Sequence, residues 1–344
     1  MIRRTVFNHL LTTSLLAFGL LLVAPAARVL AEDSLTDNLA CQVRKVFDER
    51  RDAVVKVRAK DQLGIRFGSG FFADPTGTIY THAGIVMKAD EVTVITPAGK
   101  ELSARVLVAD DRSGIAILKV DASTPSIPIG KSEDIAIATP LVLIGYPEDL
   151  AASPSFGIVG GFDRKYLGQF FSTTHIRANL PVQRGQGGAP VLNLAGEAVG
   201  ILVGRIDAGA ACHVLPMRAA EKVRMDLARF GQLRPGWVGV EVEDIAQPVA
   251  GSTAKVDKLD PETPAAKSGL LPGDILLKIG STPISSVEDV IDASYFLTAG
   301  DSAGIEVMRG DEKLVIPVRP SLHPRAPGHE MQATADALQR FQLE

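Results

Sequence analysis

The sequence predicts a mainly β protein in which a larger all-β region is followed by a smaller α+β domain. Three observations carry that expectation. From Val54 to Leu215 the chain is a succession of short apolar runs rich in Val and Ile, among them "AVVKVRA", "GTIYTHAG", "EVTVITPAG", "IAILKVD", "PLVLIGYP" and "AVGILVG". Turn signals such as "DPTG", "PAGK" and "NLAG" separate them, and many short strands at even spacing argue for barrels or a sandwich. From about Trp237 to Pro320 the pattern changes, with strands such as "WVGVEV" and "DILLKIG" now alternating with helical stretches.

The first element read in order is an export signal over residues 1–31. Arg3 and Arg4 precede the apolar run Leu10–Val23, and small residues follow, with cleavage expected after Ala31 or Ala26. The alternative is an uncleaved anchor, against which Pro25 and Arg28 interrupt a run already short for a full span. Either reading places the rest of the chain outside the cytoplasm, in the periplasm or an equivalent compartment. Cys41 and Cys212 are the only cysteines, and in an oxidising compartment they are a disulfide candidate, with two buried thiols as the alternative.

The β region, within a first domain expected over 32–231, ends in "LPMRAAEKVRMDLARFG". There Met217, Val223, Leu227 and Phe230 recur at three- and four-residue intervals before a Gly suited to a helix C-cap. The second domain, expected over 235–320, holds the short helical stretch "PAAKSG" and the longer "SVEDVIDASYFLTAG". The latter opens with a serine and an acidic residue three positions on, as a capping box does. The tail, 321–344, is polar at first and rich in Pro and Gly.

Bulk properties remove several function classes. The 344 residues are 46% hydrophobic and 22% charged, which suits two or three globular domains. A net charge of −4 gives no basic footprint for nucleic acid. The six histidines show no metal-ligand spacing, and neither a metal nor a cofactor is expected.

Several segments together resemble the HtrA/Deg family of trypsin-like serine proteases. They are "GSGFFADPTGTIYTHAGIV", "DDRSGIAILKVD", "IPIGKSEDIAIATPLVLIGYP", "GIVGG" and "RGQGGAPVLNLAGEAVGI". The later segments "PGWVGVEV", "TPAAKSGLLPGDILLKIGSTPI" and "GDEKLVIPV" resemble a PDZ domain of the bacterial protease type. The match runs in order over most of residues 45–320. It implies a trypsin-like double β-barrel, two six-stranded barrels face to face, followed by one α+β PDZ domain.

The resemblance also locates what is missing. Catalysis in that family needs a serine nucleophile, a histidine base and an orienting aspartate. Where the family has "TNxHVV" this chain has "THAGIV", so Gly84 stands at the histidine position. "RSDLALLKV" corresponds to "RSGIAILKV", giving Gly114, and "GNSGGP" to "GQGGAP", giving Gly187. In another serine protease, loss of the triad costs on the order of a millionfold in turnover, roughly 8 kcal/mol. The family's "QTDAAINPG" also drifts, with Asn179 for its acidic residue, and Ala189 replaces the last Gly of its serine loop.

The expected protein is therefore proteolytically inactive. The alternative is an endopeptidase with a migrated site built on His82, Asp110 or Asp111, with Cys212 as nucleophile. The space freed by three glycines could admit a ligand, but the sequence shows no converging charges for one.

A PDZ domain adds an extended C-terminal peptide as a strand and holds its carboxylate with loop N–H groups. The resemblance assigns Trp237, Val238, Gly239 and Val240 to that loop and the edge strand. Ile291 and Tyr295, one helical turn apart on a helix expected over Val287–Ala299, are expected to line the groove, or else to face the core. The implied partners are polypeptide C-termini or unfolded protein, with a homo-oligomer or assembly with an active relative as further options. The role would be that of a scaffold, chaperone-like holder or regulator.

Overall fold

The computed structural model describes residues 38–322. The expected export signal and nearly all of the tail lie outside the described residues. The chain opens with α1 (residues 38–50), which leads into the first sheet. That sheet comprises β1 (Val54–Asp61), β2 (Gly64–Phe72), β3 (Thr78–His82), β4 (Glu91–Ile95), β5 (Glu101–Ser103), β6 (Arg105–Asp110) and β7 (Ile115–Lys119). A single turn of helix, α2 (Ala83–Val86), joins β3 to β4.

The strands run antiparallel in the order β5-β4-β1-β2-β3-β7-β6. Seven strands, rather than the expected six, arise because β5 and β6 form one bent strand. The bend is at Ala104, whose N–H donates to the Val92 carbonyl at 2.9 Å. One arm pairs with β4 and the other with β7, so the bend joins the two ends of the sheet.

A second set of strands closes into a barrel in the order β10-β13-β12-β11-β8-β9. Its members are β8 (Pro140–Gly145), β9 (Ser153–Tyr166), β10 (Gln169–Asn179), β11 (Pro190–Leu192), β12 (Ala198–Ile206) and β13 (Ala211–Pro216). Alternation along the strands creates three cores at once, because successive side chains leave a strand on opposite faces. In β7, Ala116 and Leu118 fill the first barrel, while Ile115 and Ile117 face the second. In β3, Ile79 points inward and Tyr80 outward in the same way. Val142, Ile144 and Ile201 answer them from the second barrel.

The shared core also receives α3 (Met217–Phe230), which buries Met217, Ala219, Ala220 and Val223 at helical spacing. The helix stops where Gly231 adopts φ 69°, its N–H donating to the Leu227 carbonyl at 2.8 Å. That left-handed cap is the one the sequence pattern anticipates.

The last unit contains β14 (Gly236–Trp237), β15 (Val240–Val249), β16 (Ser252–Leu259), α4 (Pro264–Lys267), β17 (Ile275–Ile279), β18 (Thr282–Pro283), α5 (Val287–Tyr295), β19 (Ala303–Arg309), β20 (Glu312–Val318) and β21 (Ser321–Leu322). Its main sheet follows β15-β16-β17-β19-β20 and has its own core around Val256, Leu276, Ile305 and Val307. Ser286 and Asp289 form the capping box that opens α5. The helix ends at Tyr295 rather than Ala299, because the segment leading into β14 captures the backbone beyond it. Gly236 N–H donates to Leu297 O at 2.9 Å, and Ala299 N–H to Arg234 O at 3.0 Å.

The two units are held together through α5. Asp292, only 5% exposed, accepts from Thr173 Oγ1 at 2.7 Å and Thr174 N at 2.6 Å, and pairs with Arg218 at 2.9 Å. Arg164 pairs with Asp289 at 2.6 Å on the same helix.

The expected Cys41–Cys212 disulfide is not formed, and both cysteines are free. Cys212 lies in β13 among the apolar side chains of the closed barrel, whereas Cys41 is exposed on α1. A bond between them would need the barrel interior and the helix surface to meet.

Candidate functional site

A cleft of about 190 Å³ is lined by the turn at Gly84–Ile85, the loop Gln183–Gly187 and the end of β12. The loop takes its shape from close backbone packing. Gly185 sits at φ +85°, and a Cβ there would stand 2.6 Å from the Tyr146 carbonyl oxygen. At Gly188, φ is +83° and a Cβ would lie 2.3 Å from Ser69 O. Only glycine fits either place without strain. Ser69 secures the loop twice, donating from N to Gly187 O at 2.8 Å and from Oγ to Gly185 O at 2.9 Å. Gln186 Oε1 accepts from Gln183 N at 2.7 Å and closes the turn.

Gly84 and Gly187 both line this cleft, and Gly114 lies beside it, across the His82 ring. His82 closes β3 and caps α2, its Nδ1 accepting from Gly84 N–H at 3.1 Å. A Cβ on Gly84 would fall 2.8 Å from His82 Cε1, and one on Gly114 would fall 3.6 Å from Nε2. The imidazole therefore fills the space between positions 84 and 114. It is buried, and desolvation lowers its pKa to about 4, partly offset by a hydrogen bond to the Val203 backbone. Gly114 adds a backbone constraint of its own, adopting φ +75°.

Asp110 is buried and bonded to Ser113 Oγ at 2.8 Å, paired with Arg112 at 3.3 Å rather than with His82. Burial pushes the Cys212 thiol up to about 12, which removes it as a nucleophile near neutral pH. No serine, threonine or cysteine is among the described residues that line the cleft.

The expectation that no charges converge there is corrected. Arg66, Arg184 and Arg205 all line the cleft. They come from β2, the glycine loop and β12, so only folding brings them together. Position-by-position reading had no signal for it beyond each arginine's nearness to a motif.

In the second domain, Gly239 sits at φ +72° with a Cβ position 2.4 Å from Thr263 Cγ2 and 2.8 Å from Trp237 Cη2. Ala265 N–H donates to Val238 O at 3.0 Å, tying the loop to α4. Val238 is buried in the domain core, and Val240, half-buried, packs against it at the start of β15, which lies at one end of the sheet path. Trp237, Val238, Gly239 and Val240 thus form one tightly turned loop leading into an edge strand.

Ile291 is half-buried on α5 and belongs to none of the core clusters. Tyr295 departs from its groove assignment. It is 3% exposed within the core shared by the barrels, and its hydroxyl donates to Ala219 O at 3.3 Å. The guanidinium of Arg112 lies 5.3 Å from its ring centroid. Helical spacing puts the two residues on one face, one turn apart, without saying which neighbour claims each, and the barrel claims Tyr295.

Comparison with known proteins agrees with this architecture. Residues 68–201 match the trypsin-like peptidase domain, and residues 236–319 match the PDZ domain. A probable periplasmic serine endoprotease DegP-like from Pseudomonas fluorescens is 31% identical over 258 residues, covering 72% of this chain and 54% of that protein. A putative serine protease HhoB from Synechocystis is 27% identical over 277 residues, covering 75% and 67%. The chain spans about half the length of the first of these relatives. Among solved structures, the HtrA-type protease AlgW with tripeptide superposes with a TM-score of 0.71 at 23% identity, covering 83% of this chain and 99% of that one. The serine endoprotease from Yersinia pestis gives 0.62 at 24% identity, covering 82% and 98%. This chain is an HtrA-like protein, a trypsin-like peptidase domain followed by one PDZ domain.

Proposed function

We propose that the chain is a proteolytically inactive HtrA-like protein of the periplasm that binds polypeptide C-termini through its PDZ domain. It would serve as scaffold, holder or regulator, alone or assembled with an active relative. One observation carries the first half: Gly84, Gly114 and Gly187 stand where the family motifs place histidine, aspartate and serine, around a cleft whose described lining has no nucleophile. Glycine neither attacks a carbonyl nor moves a proton. Backbone N–H groups of the loop, left to themselves, supply only weak residual catalysis. The nearest imidazole is engaged by backbone on Gly84 and Val203. The periplasmic assignment rests on the N-terminal pattern and on the relatives named periplasmic.

The peptide-binding half is supported by the glycine-turned loop at Trp237–Val240 and the edge strand it opens. Purified protein incubated with unfolded casein and a fluorophosphonate probe is expected to show neither cleavage nor labelling. Casein cleavage lost on His82→Ala would establish a relocated active site instead. Against a library of C-terminal peptides the protein is expected to select binders in the micromolar range. Gly239→Ala is expected to weaken them at least tenfold, about 1.4 kcal/mol, because its methyl collides with Thr263. A library with no binder to the folded protein removes this half of the proposal.

A further inference from the structure

We propose that the segment 171–174 is an acid-released latch. The neutral His175 ring holds it in the shape that grips α5, and protonation of that ring releases Asp292 and loosens the second domain from the barrels. This control is independent of what the cleft or the second domain binds.

The latch begins as an irregularity in the hairpin formed by β9 and β10. Phe170 faces Lys165 and His175 faces Asp163, so residues 171–174 all stand opposite Arg164 alone. Extra residues on one strand leave the ladder and bend that strand. Here the excursion ends on α5, where Thr173 Oγ1 and Thr174 N–H both donate to Asp292 Oδ1, at 2.7 and 2.6 Å. Beside them Ser172 Oγ donates to Arg112 O at 2.6 Å. The bulged shape is built around one ring. His175 lies at its foot, with Nδ1 2.8 Å from Thr173 O, and Phe171 at the other end packs against it with centroids 4.3 Å apart. A carbonyl only accepts, so Nδ1 carries the proton and the neutral ring keeps its lone pair on Nε2. The hydrogen bond and the ring contact together set the positions from which Thr173 and Thr174 reach Asp292.

The surroundings suit the neutral form. His175 is buried, and its Nε2 has no acceptor among the described residues. His213 on β13 faces it with ring centroids 6.3 Å apart and opposes a second positive charge. Asp163 on β9 is shared by His213 and Arg177, Asp292 on α5 is shared by Arg218 and the two threonines, and Arg164 opposite the bulge is paired with Asp289. Asp163 and Asp292 favour a charged ring, but burial outweighs them and holds its pKa at about 4. Once the bulge opens to water the ring returns towards its ordinary 6.5, so protons favour the open form. The grip is complete above that ordinary value and is lost as pH falls towards about 4. Asp292 is not the group that titrates: burial raises its pKa, but the bonds from Thr174 and Thr173 and the Arg218 charge hold it below the ordinary 3.8. Contacts outside the bulge, from Tyr295 to Ala219 and from Arg229 to Asp301, tether the loosened domain.

The test is amide hydrogen exchange on the whole chain, because the Thr174 N–H is itself part of the grip. After correction for the intrinsic rate, its protection is expected to fall about tenfold or more between pH 7 and 4.5. Leu202 and Val256 serve as references, since their amides are bonded to Ala189 O and Asp274 O within the cores of the two domains. At pH 4.5 Thr174 is expected to exchange faster than both and to depend little on added urea, the mark of a local opening. His175→Gln keeps a donor for Thr173 O but does not titrate, and is expected to remove most of the pH dependence at Thr174. Thr174 protection that does not change with pH in the wild-type chain overturns the latch. So does a Thr174 amide that exchanges only together with Leu202 and Val256, which reports unfolding, or an undiminished fall in folded His175→Gln. If that variant lacks Thr174 protection already at pH 7, the His175 Cε1–H resonance of the wild-type chain decides. Titration in step with the loss of protection supports the latch, and a ring still neutral after the loss overturns it.

Discussion

At position 84 the neighbouring space is already filled. The His82 ring occupies it and would lie 2.8 Å from any Cβ on residue 84. Gly114 has a left-handed backbone that costs an L-residue about 1–2 kcal/mol. The site is therefore committed to glycine by its neighbours, and simple restoration does not suffice. The triple variant Gly84→His, Gly114→Asp and Gly187→Ser is expected to leave casein uncleaved. Adding His82→Asn, the residue type in the family's segment, is expected to raise turnover by at least roughly tenfold, equivalent to about 1.4 kcal/mol of barrier. Turnover by the triple variant equal to that of the quadruple one would show that His82 is no obstacle. The proposal that Gly84, Gly114 and Gly187 stand at the triad positions comes from the flanking motifs of the sequence. The role of His82 was not legible there, because its ring turns back across a helix cap, and no strand periodicity describes that.

Along β10 and β13, two further histidines respond to the element that holds them. His175 hydrogen-bonds Thr173 O through Nδ1 at 2.8 Å and stacks near Phe171, with ring centroids 4.3 Å apart. His213 lies 3.2 Å from Asp163, which also pairs with Arg177, and is flanked by Tyr166 and Phe171. Burial lowers the pKa of His175 to about 4, with the facing Asp163 and Asp292 only partly opposing it, and lowers that of His213 as well. The unfolded chain takes up protons near the ordinary value of 6.5, before the folded chain does. Stability is thus fully present above that pH and falls as pH drops towards about 4. For His175 the loss is on the order of 3 kcal/mol at full protonation. Carboxylates with lowered values, such as Asp74 at about 2, act only below their ordinary 3.8 and stay out of this window. Urea midpoints measured from pH 7.5 to 4.5 are expected to decline, and His175→Phe is expected to make the decline shallower, with His82 and His213 supplying what remains. A profile independent of pH in wild-type protein would contradict the assignment. The strands were legible from their apolar runs, whereas pairing across the barrel, which brings β10 to β13, depends on contacts too distant in sequence for local patterns.

Across the whole molecule, α5 has two duties that the sequence kept apart. Its capping box and spacing marked it as a helix of the second domain, on which Ile291 is half-buried. Tyr295, Asp289 and Asp292 instead engage the barrels. Thr298 and Asp301 extend the contact to α3 through Asp226 and Arg229. A helix of the second domain is therefore also the main bolt between domains. Asp292 is its central pin, because it is buried and serves Thr173, Thr174 and Arg218 at once. Replacing it leaves the buried Thr173 hydroxyl and the half-buried Arg218 guanidinium without their acceptor, a change expected to cost about 1–3 kcal/mol. Both domains have their own cores, so the loss falls on docking rather than on either fold. Calorimetry of the wild-type chain is expected to show one cooperative transition, and Asp292→Ala two, with the second domain melting first. Limited proteolysis between Gly231 and Pro235 should quicken in the same variant. A single unshifted transition in Asp292→Ala would show that the domains are held by something other than this helix.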